Sequence, residues 1–549
     1  MKMRLPLALI TNVRLLNSGF RIGHRIHNGV TKTSLLSSCN ICSRVERKWI
    51  KPVGFDTGVK TYNSLTKQKE PLVLAQERIA TWYSCGPTVY DHAHLGHAWY
   101  VSLLDQVQNV ERRSYPYFEI NVIHVMVITD IDDKIIQRSL EQNISPTVLA
   151  RMHEEEFKRD MQALRVLPPA VYMRVTDNIP QIVAFVERII GNGHVYVTSQ
   201  GNVYFDTQSI GDRYGKLVNL GGIVGELGII ILCNGNIHKH LFALVCSSVF
   251  GSQLDIHSGG IDLAFPHHEN EIAQSEAYHQ CEQWGNYFLH SGHLHLKGSV
   301  EKMSKSLKNY VTIKDFLESY TANEFRLFCL LTRYRSAIDY SDASMNEARS
   351  TLSTISAFCH TAQAYMQGHL QCQPIEEGIL WERLSATQSS VRKALADDFD
   401  TPKAVNVIMS LIHHGNCQLQ PATKNNGPRC PAVFGAMLSY VREIMAVFGV
   451  DLLDRKEVHD SSGVLNNVVE ELVHFRSKVR KFALSVEDQA SQNPQTGSEI
   501  QKRHPQPDRV PLLKVCDALR NNLAPLGVHI KDRGTNSTWK ITRGETRKN

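Results

Sequence analysis

Apolar positions along this chain change their period once, and that change divides it. In the first half they come in short runs. Residues 79–84 (Ile-Ala-Thr-Trp-Tyr-Ser) are β-rich and are halted by Cys85-Gly86-Pro87-Thr88, after which a helical spacing runs from 96 to about 110. This predicts a strand, a turn and a helix, the opening unit of an α/β fold. A second apolar strand is predicted over 121–128, ending in Thr129-Asp130-Ile131-Asp132-Asp133-Lys134. Polar residues at the carboxyl end of a strand are where open parallel sheets place their ligands. Helical periodicity covers 146–164 and 177–192, and 196–206 alternates like a strand. Past residue 310 the period becomes helical, over 313–318, 322–333, 344–367 and 381–396, so a β-rich half gives way to a helix-rich half near 340. Segment 418–431 reads as a loop. The polar stretch 488–507 has little to bury and reads as a linker before a small module at 515–539.

At 549 residues the chain is long enough for several domains. A composition of 42% hydrophobic and 21% charged residues is that of a globular protein. The net charge of +6 permits an anionic partner without demanding one, so a nucleic-acid function has to come from motifs. The most apolar run, Gly228-Ile229-Ile230-Ile231-Leu232-Cys233, is far shorter than a membrane span, and no membrane partner is expected.

The first fifty residues differ in kind. Lys2, Arg4, Arg14, Arg21, Arg25, Lys32, Arg44, Arg47 and Lys48 are basic, and the first acidic residue is Glu46. Leu7, Ile10, Val13 and Leu15 can share a helical face, a composition that predicts a mitochondrial transit peptide over 1–50 and a matrix location. The twelve cysteines form no disulfide-like framework, which suits reduced thiols.

Two short stretches carry phosphate chemistry. His94-Leu95-Gly96-His97 lies at the predicted strand-to-helix turn. Gly96 leaves room for a ligand, the helix amino end carries partial positive charge, and imidazoles there can donate to phosphoryl oxygens. In Lys302-Met303-Ser304-Lys305-Ser306, Lys302 and Lys305 can neutralise a pentacovalent α-phosphate and its pyrophosphate leaving group from a loop that closes on ATP.

Between them runs Asp255-Ile256-His257-Ser258-Gly259-Gly260-Ile261-Asp262-Leu263-Ala264-Phe265-Pro266-His267-His268-Glu269-Asn270-Glu271. Gly260 allows close packing against adenosine, and Asp262 can accept from ribose hydroxyls. His267 and Glu271, four apart, share one helical face and offer half a zinc site, to which Cys85 could add a thiolate.

Taken in order, Cys85-Gly86-Pro87-Thr88-Val89-Tyr90-Asp91, the His94–His97 motif, the Thr129–Lys134 turn, the Asp255–Glu271 run and the Lys302–Ser306 motif resemble those of cysteinyl-tRNA synthetases. So does the end of the chain, Gly527-Val528-His529-Ile530-Lys531-Asp532 with Thr538-Trp539. With the basic leader, the resemblance is to the mitochondrial form.

The resemblance implies a Rossmann-type nucleotide-binding catalytic domain (70–340), an all-α tRNA-binding domain (341–487), a linker (488–510) and a C-terminal module (511–549). It implies ATP-dependent activation of cysteine and transfer to tRNA(Cys), with Mg2+ accompanying the ATP. His94, His97, Lys302 and Lys305 would be catalytic, and Gly96, Thr129, Gly260, Asp262 and Lys305 would bind ATP. Zn2+ on Cys85, His267 and Glu271 would bind the substrate thiolate and so reject serine.

The pattern fails across 221–245. The family's fourth zinc ligand, a cysteine, is missing, and Phe242 stands at its expected position. Cys246 is a weak substitute, four residues on. Three competing expectations follow: a tRNA-binding protein disabled by the replaced segment, a ligase joining cysteine to a small amine, and cysteine persulfide formation as a second activity using lysines such as Lys134.

Overall fold

The computed structural model describes residues 49–102, 120–199, 203–218, 229–233, 236–237, 243–296, 303, 310–370, 372–420, 429–452, 461–484, 509–526, 528–533 and 536–541. Residues 1–48 of the leader, Phe242, Lys302, Lys305 and most of the 488–510 linker lie outside these residues. The chain divides into two units, Met1–Leu452 and Leu453–Asn549.

The first unit opens with an antiparallel hairpin, β1 (Phe55–Asn63) and β2 (Gln68–Leu74). Then comes β3 (Ile79–Thr88), followed by a helix described over 95–102 (α1). β4 (Asn121–Thr129), α2 (Asp133–Gln142), α3 (Pro146–Ala163), β5 (Val171–Arg174) and α4 (Ile179–Gly191) continue the α/β alternation. Helix starts follow local chemistry: Asp132 caps α2 by accepting from the Lys134 N–H at 2.9 Å, and Pro146 opens α3.

The stretch expected as one strand over 196–206 is instead two, β6 (Val195–Val197) and β7 (Val203–Phe205), paired antiparallel. The polar, turn-prone Ser199-Gln200-Gly201-Asn202 between them explains the break. β8 (Ile229–Cys233) and β9 (Asn236–Ile237) extend that sheet, so part of the atypical segment is strand. Helix α5 (Ala243–Phe250) carries Cys246.

β10 (Leu254–Gly260), α6 (Glu269–His279) and β11 (Gly285–Ser291) complete a five-stranded parallel sheet in the order β11-β10-β3-β4-β5. β3 leads to β4 on one side while β10 returns on the other, so the strand order reverses beside β3. A crevice therefore opens at the carboxyl ends of β3 and β10, the place such sheets bind ligands.

After β12 (Leu294–Leu296) come α7 (Ile313–Ser319), α8 (Ala322–Leu330) and β13 (Ile338–Tyr340). The long helices α9 (Asp342–Met366), α10 (Glu377–Ala396), α11 (Thr401–Gln418) and α12 (Pro431–Val447) follow. α8 begins with a reciprocal cap between Thr321 and Glu324, and α9 with one between Ser341 and Ser344.

The change of period near residue 340 is a change of element type and not a break in the core. Trp82, Met126 and Ile256 of the sheet belong to the same buried cluster as Phe328, Phe358, Ile408 and Met437 of the helices. Among the described residues these helices share their core with the sheet, and the chain divides into its two units at Leu452/Leu453.

In the second unit α13 (Ser461–Leu484), expected to close the helical domain, packs with α14 (Val510–Leu523) and the hairpin β14 (Val528–Arg533) and β15 (Asn536–Ile541). Val469, Val473, Val528 and Ile530 form its small core. Buried Arg476 donates to both oxygens of Asp532 at 2.6 and 2.9 Å. Those bonds, against some opposing burial, hold the Asp532 carboxyl well below its usual range.

Candidate active site and metal cluster

The crevice beside β3 is a cavity of about 360 Å³ whose lining includes Cys85, His94, Gly96, His97, Lys134, Asp262 and Met303. At one end lies the His94–His97 turn. The Gly96 N–H donates to His94 Nδ1 at 3.1 Å, and the two imidazoles stack with centroids 3.8 Å apart. A Cβ on Gly96 would stand 2.9 Å from the His94 ring, so glycine is required for this fold of the turn.

The turn is held from far away in the sequence. The Leu95 N–H donates to the Val311 carbonyl at 3.0 Å and the Ile313 N–H to that of Ala93 at 3.4 Å. Of the Lys302–Ser306 motif only Met303 is described. It is buried, lines the cavity and donates its N–H to the Leu294 carbonyl at 3.0 Å. Lys134 also lines the cavity and sits 5.4 Å from the Tyr90 ring centre.

Asp262 and Gly260 line the same space. A Cβ on Gly260 would meet Asp262 Oδ1 at 2.6 Å, so the glycine sets where that carboxylate lies. Thr129 behaves differently from its neighbours in the motif reading. It is buried at the end of β4, pairs with Thr88 and is absent from the cavity lining, while its carbonyl accepts from Val89 at 3.2 Å.

Around Cys85, which lines the cavity, four donors converge. Cys85 Sγ lies 3.5 Å from His267 Nε2, 3.4 Å from His268 Nε2 and 4.0 Å from Glu271 Oε1, and His267 Nε2 lies 3.7 Å from that same oxygen. Burial is complete for His268 and Glu271. The sequence reading missed His268. Two adjacent residues on a regular helix diverge by about 100°. The entry to α6 is irregular, however, with Phe265 extended at φ −139° and ψ 136°. The signal available was the histidine doublet itself.

Partners outside the cluster fix its orientation. His257 Nε2 bonds Glu271 Oε2 at 2.7 Å and the Tyr83 hydroxyl donates to Oε1 at 3.0 Å. Burial pushes the Glu271 carboxyl up, but the charge of His267 and the His257 bond outweigh it, and the carboxylate form is favoured. His268 Nδ1 bonds His290 Nε2 at 2.8 Å, and His290 Nδ1 bonds Ser64 Oγ at 2.7 Å. Burial, with His257 adding to it, brings His290 down to about 3, and burial with three neighbouring imidazoles keeps His268 well below its ordinary value. Both rings are therefore neutral near pH 7.

All of α6 from Glu269 to Ala277 is buried, with partners for some of its polar side chains, while Gln274 and Ser275 have no side-chain hydrogen bond among the described residues. Glu269 accepts from the backbone N–H groups of Gly215, Lys216 and Leu217 at 2.6, 2.9 and 2.8 Å. A second group, His92, His153 and Glu156, is a hydrogen-bonded clamp, with 2.6 and 3.0 Å from the two rings to the carboxylate.

The family model "tRNA synthetases class I (C) catalytic domain" matches residues 71–222 and 238–350, leaving 223–237, inside the atypical segment, unmatched. The chain is 50% identical over 92% of its length to a probable mitochondrial cysteine–tRNA ligase of Xenopus tropicalis, covering 93% of that protein. It is 36% identical over 91% of its length to the cytoplasmic cysteine–tRNA ligase of Dictyostelium discoideum, covering 80% of it. Among solved structures, methionyl-tRNA synthetase of Mycobacterium tuberculosis with methionyl-adenylate superposes with a TM-score of 0.53 at 14% identity, covering 68% of this chain and 90% of that one. This last likeness shows the fold, a Rossmann-like parallel sheet with a helical region after it. On the identity and coverage of its relatives, the chain belongs to the cysteine–tRNA ligases, class I aminoacyl-tRNA synthetases.

Proposed function

We propose that this chain activates cysteine with ATP in the cavity beside β3 and passes the cysteinyl group to the terminal ribose of tRNA(Cys). One observation carries the reading: the phosphate-binding turn at His94–His97 lines a cavity of about 360 Å³ together with Cys85, whose sulfur also belongs to the donor cluster. The cysteine carboxylate would attack the α-phosphorus while the bond to pyrophosphate breaks. The ribose hydroxyl would then attack the cysteinyl carbonyl, and AMP leaves.

His94 and His97 would donate to phosphoryl oxygens as their charge grows, and Lys302 and Lys305 would neutralise the rest, with Mg2+ accompanying the ATP. Gly96 and Gly260 let the nucleotide approach the backbone, and Asp262 accepts from the ribose hydroxyls. Thr129, buried behind the lining, supports the strand end without touching ATP. Cys85, His267 and Glu271 would hold zinc. Their thiolate, imidazole and carboxylate are the donors zinc takes, and the spacings of 3.5 to 4.0 Å approach the edges of a tetrahedron with bonds of about 2.0–2.3 Å. Bound there, zinc supplies a soft Lewis acid that prefers the substrate thiolate to a hydroxyl.

The similarity to a mitochondrial relative supports a mitochondrial protein, and the basic leader supports import into the matrix. Helices α9–α12 and the second unit are assigned to the tRNA, chiefly to phosphates and unpaired bases. Cysteine-dependent ATP–pyrophosphate exchange tests the reading. Exchange with cysteine and not with serine is expected, and tRNA(Cys) binding without exchange would overturn it.

A further inference from the structure

We propose that His268 is the fourth zinc ligand of this chain, giving a shell of one thiolate, two imidazoles and one carboxylate. The inference rests on the zinc reading above and concerns which atoms complete the shell once Phe242 stands where a cysteine is expected.

Geometry carries it. His268 Nε2 lies 3.4 Å from Cys85 Sγ, almost the same as the 3.5 Å from His267 Nε2 to that sulfur. A sulfur and a nitrogen bound to one tetrahedral zinc stand about 3.5 Å apart. All four donor atoms fall within 4.8 Å of one another. By contrast the rings and carboxylate of the His92, His153 and Glu156 clamp are 2.6 and 3.0 Å apart, hydrogen-bond contacts too close for an ion between them.

The chain of bonds behind the ring accommodates the tautomer that a ligand needs. His268 Nδ1 faces His290 Nε2 at 2.8 Å, and His290 Nδ1 faces Ser64 Oγ at 2.7 Å. Two neutral rings satisfy this chain with the proton on each Nδ1: His268 donates to His290, and His290 to the serine. That leaves a lone pair on His268 Nε2, directed at the cluster, the arrangement in which a metal-bound histidine donates its other N–H outward.

The backbone opposite is shaped for the ring. A Cβ on Gly259 would stand 2.2 Å from His268 Cε1 and 2.7 Å from Nε2, so any other residue would push the imidazole aside. One thiolate and one carboxylate leave the centre with net charge zero. A shell with two thiolates would be anionic, so this one attracts the incoming substrate thiolate more strongly.

The test is zinc analysis and zinc-edge X-ray absorption on the purified full chain, beside His268→Gln and Cys246→Ser. Expected are one equivalent of zinc, one sulfur and two imidazoles. In His268→Gln one imidazole is lost and zinc escapes to a chelator at least about 10-fold more readily. Cys246→Ser changes neither count. Two sulfurs in the unsubstituted chain, or two imidazoles persisting in His268→Gln, would overturn the proposal while sparing the zinc reading. Absence of zinc from the unsubstituted chain would overturn both. The sulfur count needs no variant, so it decides even where His268→Gln does not fold.

Discussion

The two ends of the site, the phosphate turn and the donor cluster around Cys85, are built in opposite ways. The phosphate end is four consecutive residues, His94 to His97, at the start of α1, and what distant structure adds is a brace from Val311 and Ile313. The metal end takes Cys85 from β3 and His267, His268 and Glu271 from the entry and first turn of α6. They are oriented by His257 on β10, His290 on β11 and Ser64 beyond β1. A local motif needs a correct turn; a convergent one needs the whole sheet in register. The second is therefore the more exposed to distant change.

The comparison breaks first at Cys85. It serves the metal end from the strand that also leads to the phosphate end, so Cys85→Ser should abolish zinc retention. Cysteine-dependent exchange should fall by roughly 10³-fold, beyond the 10–100-fold that loss of an outer partner costs. If ATP affinity, read by equilibrium binding, falls equally, the two ends are not separate.

His97→Asn is the reciprocal change. It should lower the exchange kcat by about 10²–10³-fold, the cost of losing a donor to developing charge, with the zinc content unchanged.

Glu276, on α6 behind the metal end, sharpens the contrast through pH. Burial outweighs its 2.5 Å pairing with Lys216 and raises its carboxyl to about 7. An acid whose folded pKa exceeds its unfolded value, about 4.3, imposes no penalty below that value. Stability is then lost as pH rises from about 4.3 to about 7, by at most about 4 kcal/mol. Glu276→Gln should flatten the Tm profile over that window relative to the unsubstituted chain; an unchanged profile would show that the ion pair wins.

The smallest effect is expected at His257→Phe. It removes the 2.7 Å bond to Glu271 but keeps the stack on Phe288, whose ring centre is 4.8 Å away. Zinc affinity should weaken about 10–100-fold in chelator competition, with ATP binding intact.

Much of this was legible in sequence because it is local. The helix expected over 146–164 is Pro146–Ala163, and the strand expected over 121–128 is Asn121–Thr129, since period and capping residues act over a few positions. The hairpin at Val195–Phe205 was not anticipated, because one polar tetrapeptide decided it. Nor was the shared core of sheet and helices: amphipathic helices announce that they bury a face but not what they bury it against. His268 was invisible for a related reason, since helical spacing groups His267 with Glu271 and sends its neighbour elsewhere.

By itself, then, the sequence determined the elements, the motifs and the family, because backbone propensity, capping and the short catalytic turns depend on neighbours along the chain. Tertiary structure alone decided that Thr129 is buried away from the cavity, that α13 joins the terminal hairpin through Arg476 and Asp532, and that His268 turns its Nε2 toward Cys85. Each of these is fixed by contacts between residues far apart in sequence, formed only when the sheet order and the irregular entry to α6 bring them together.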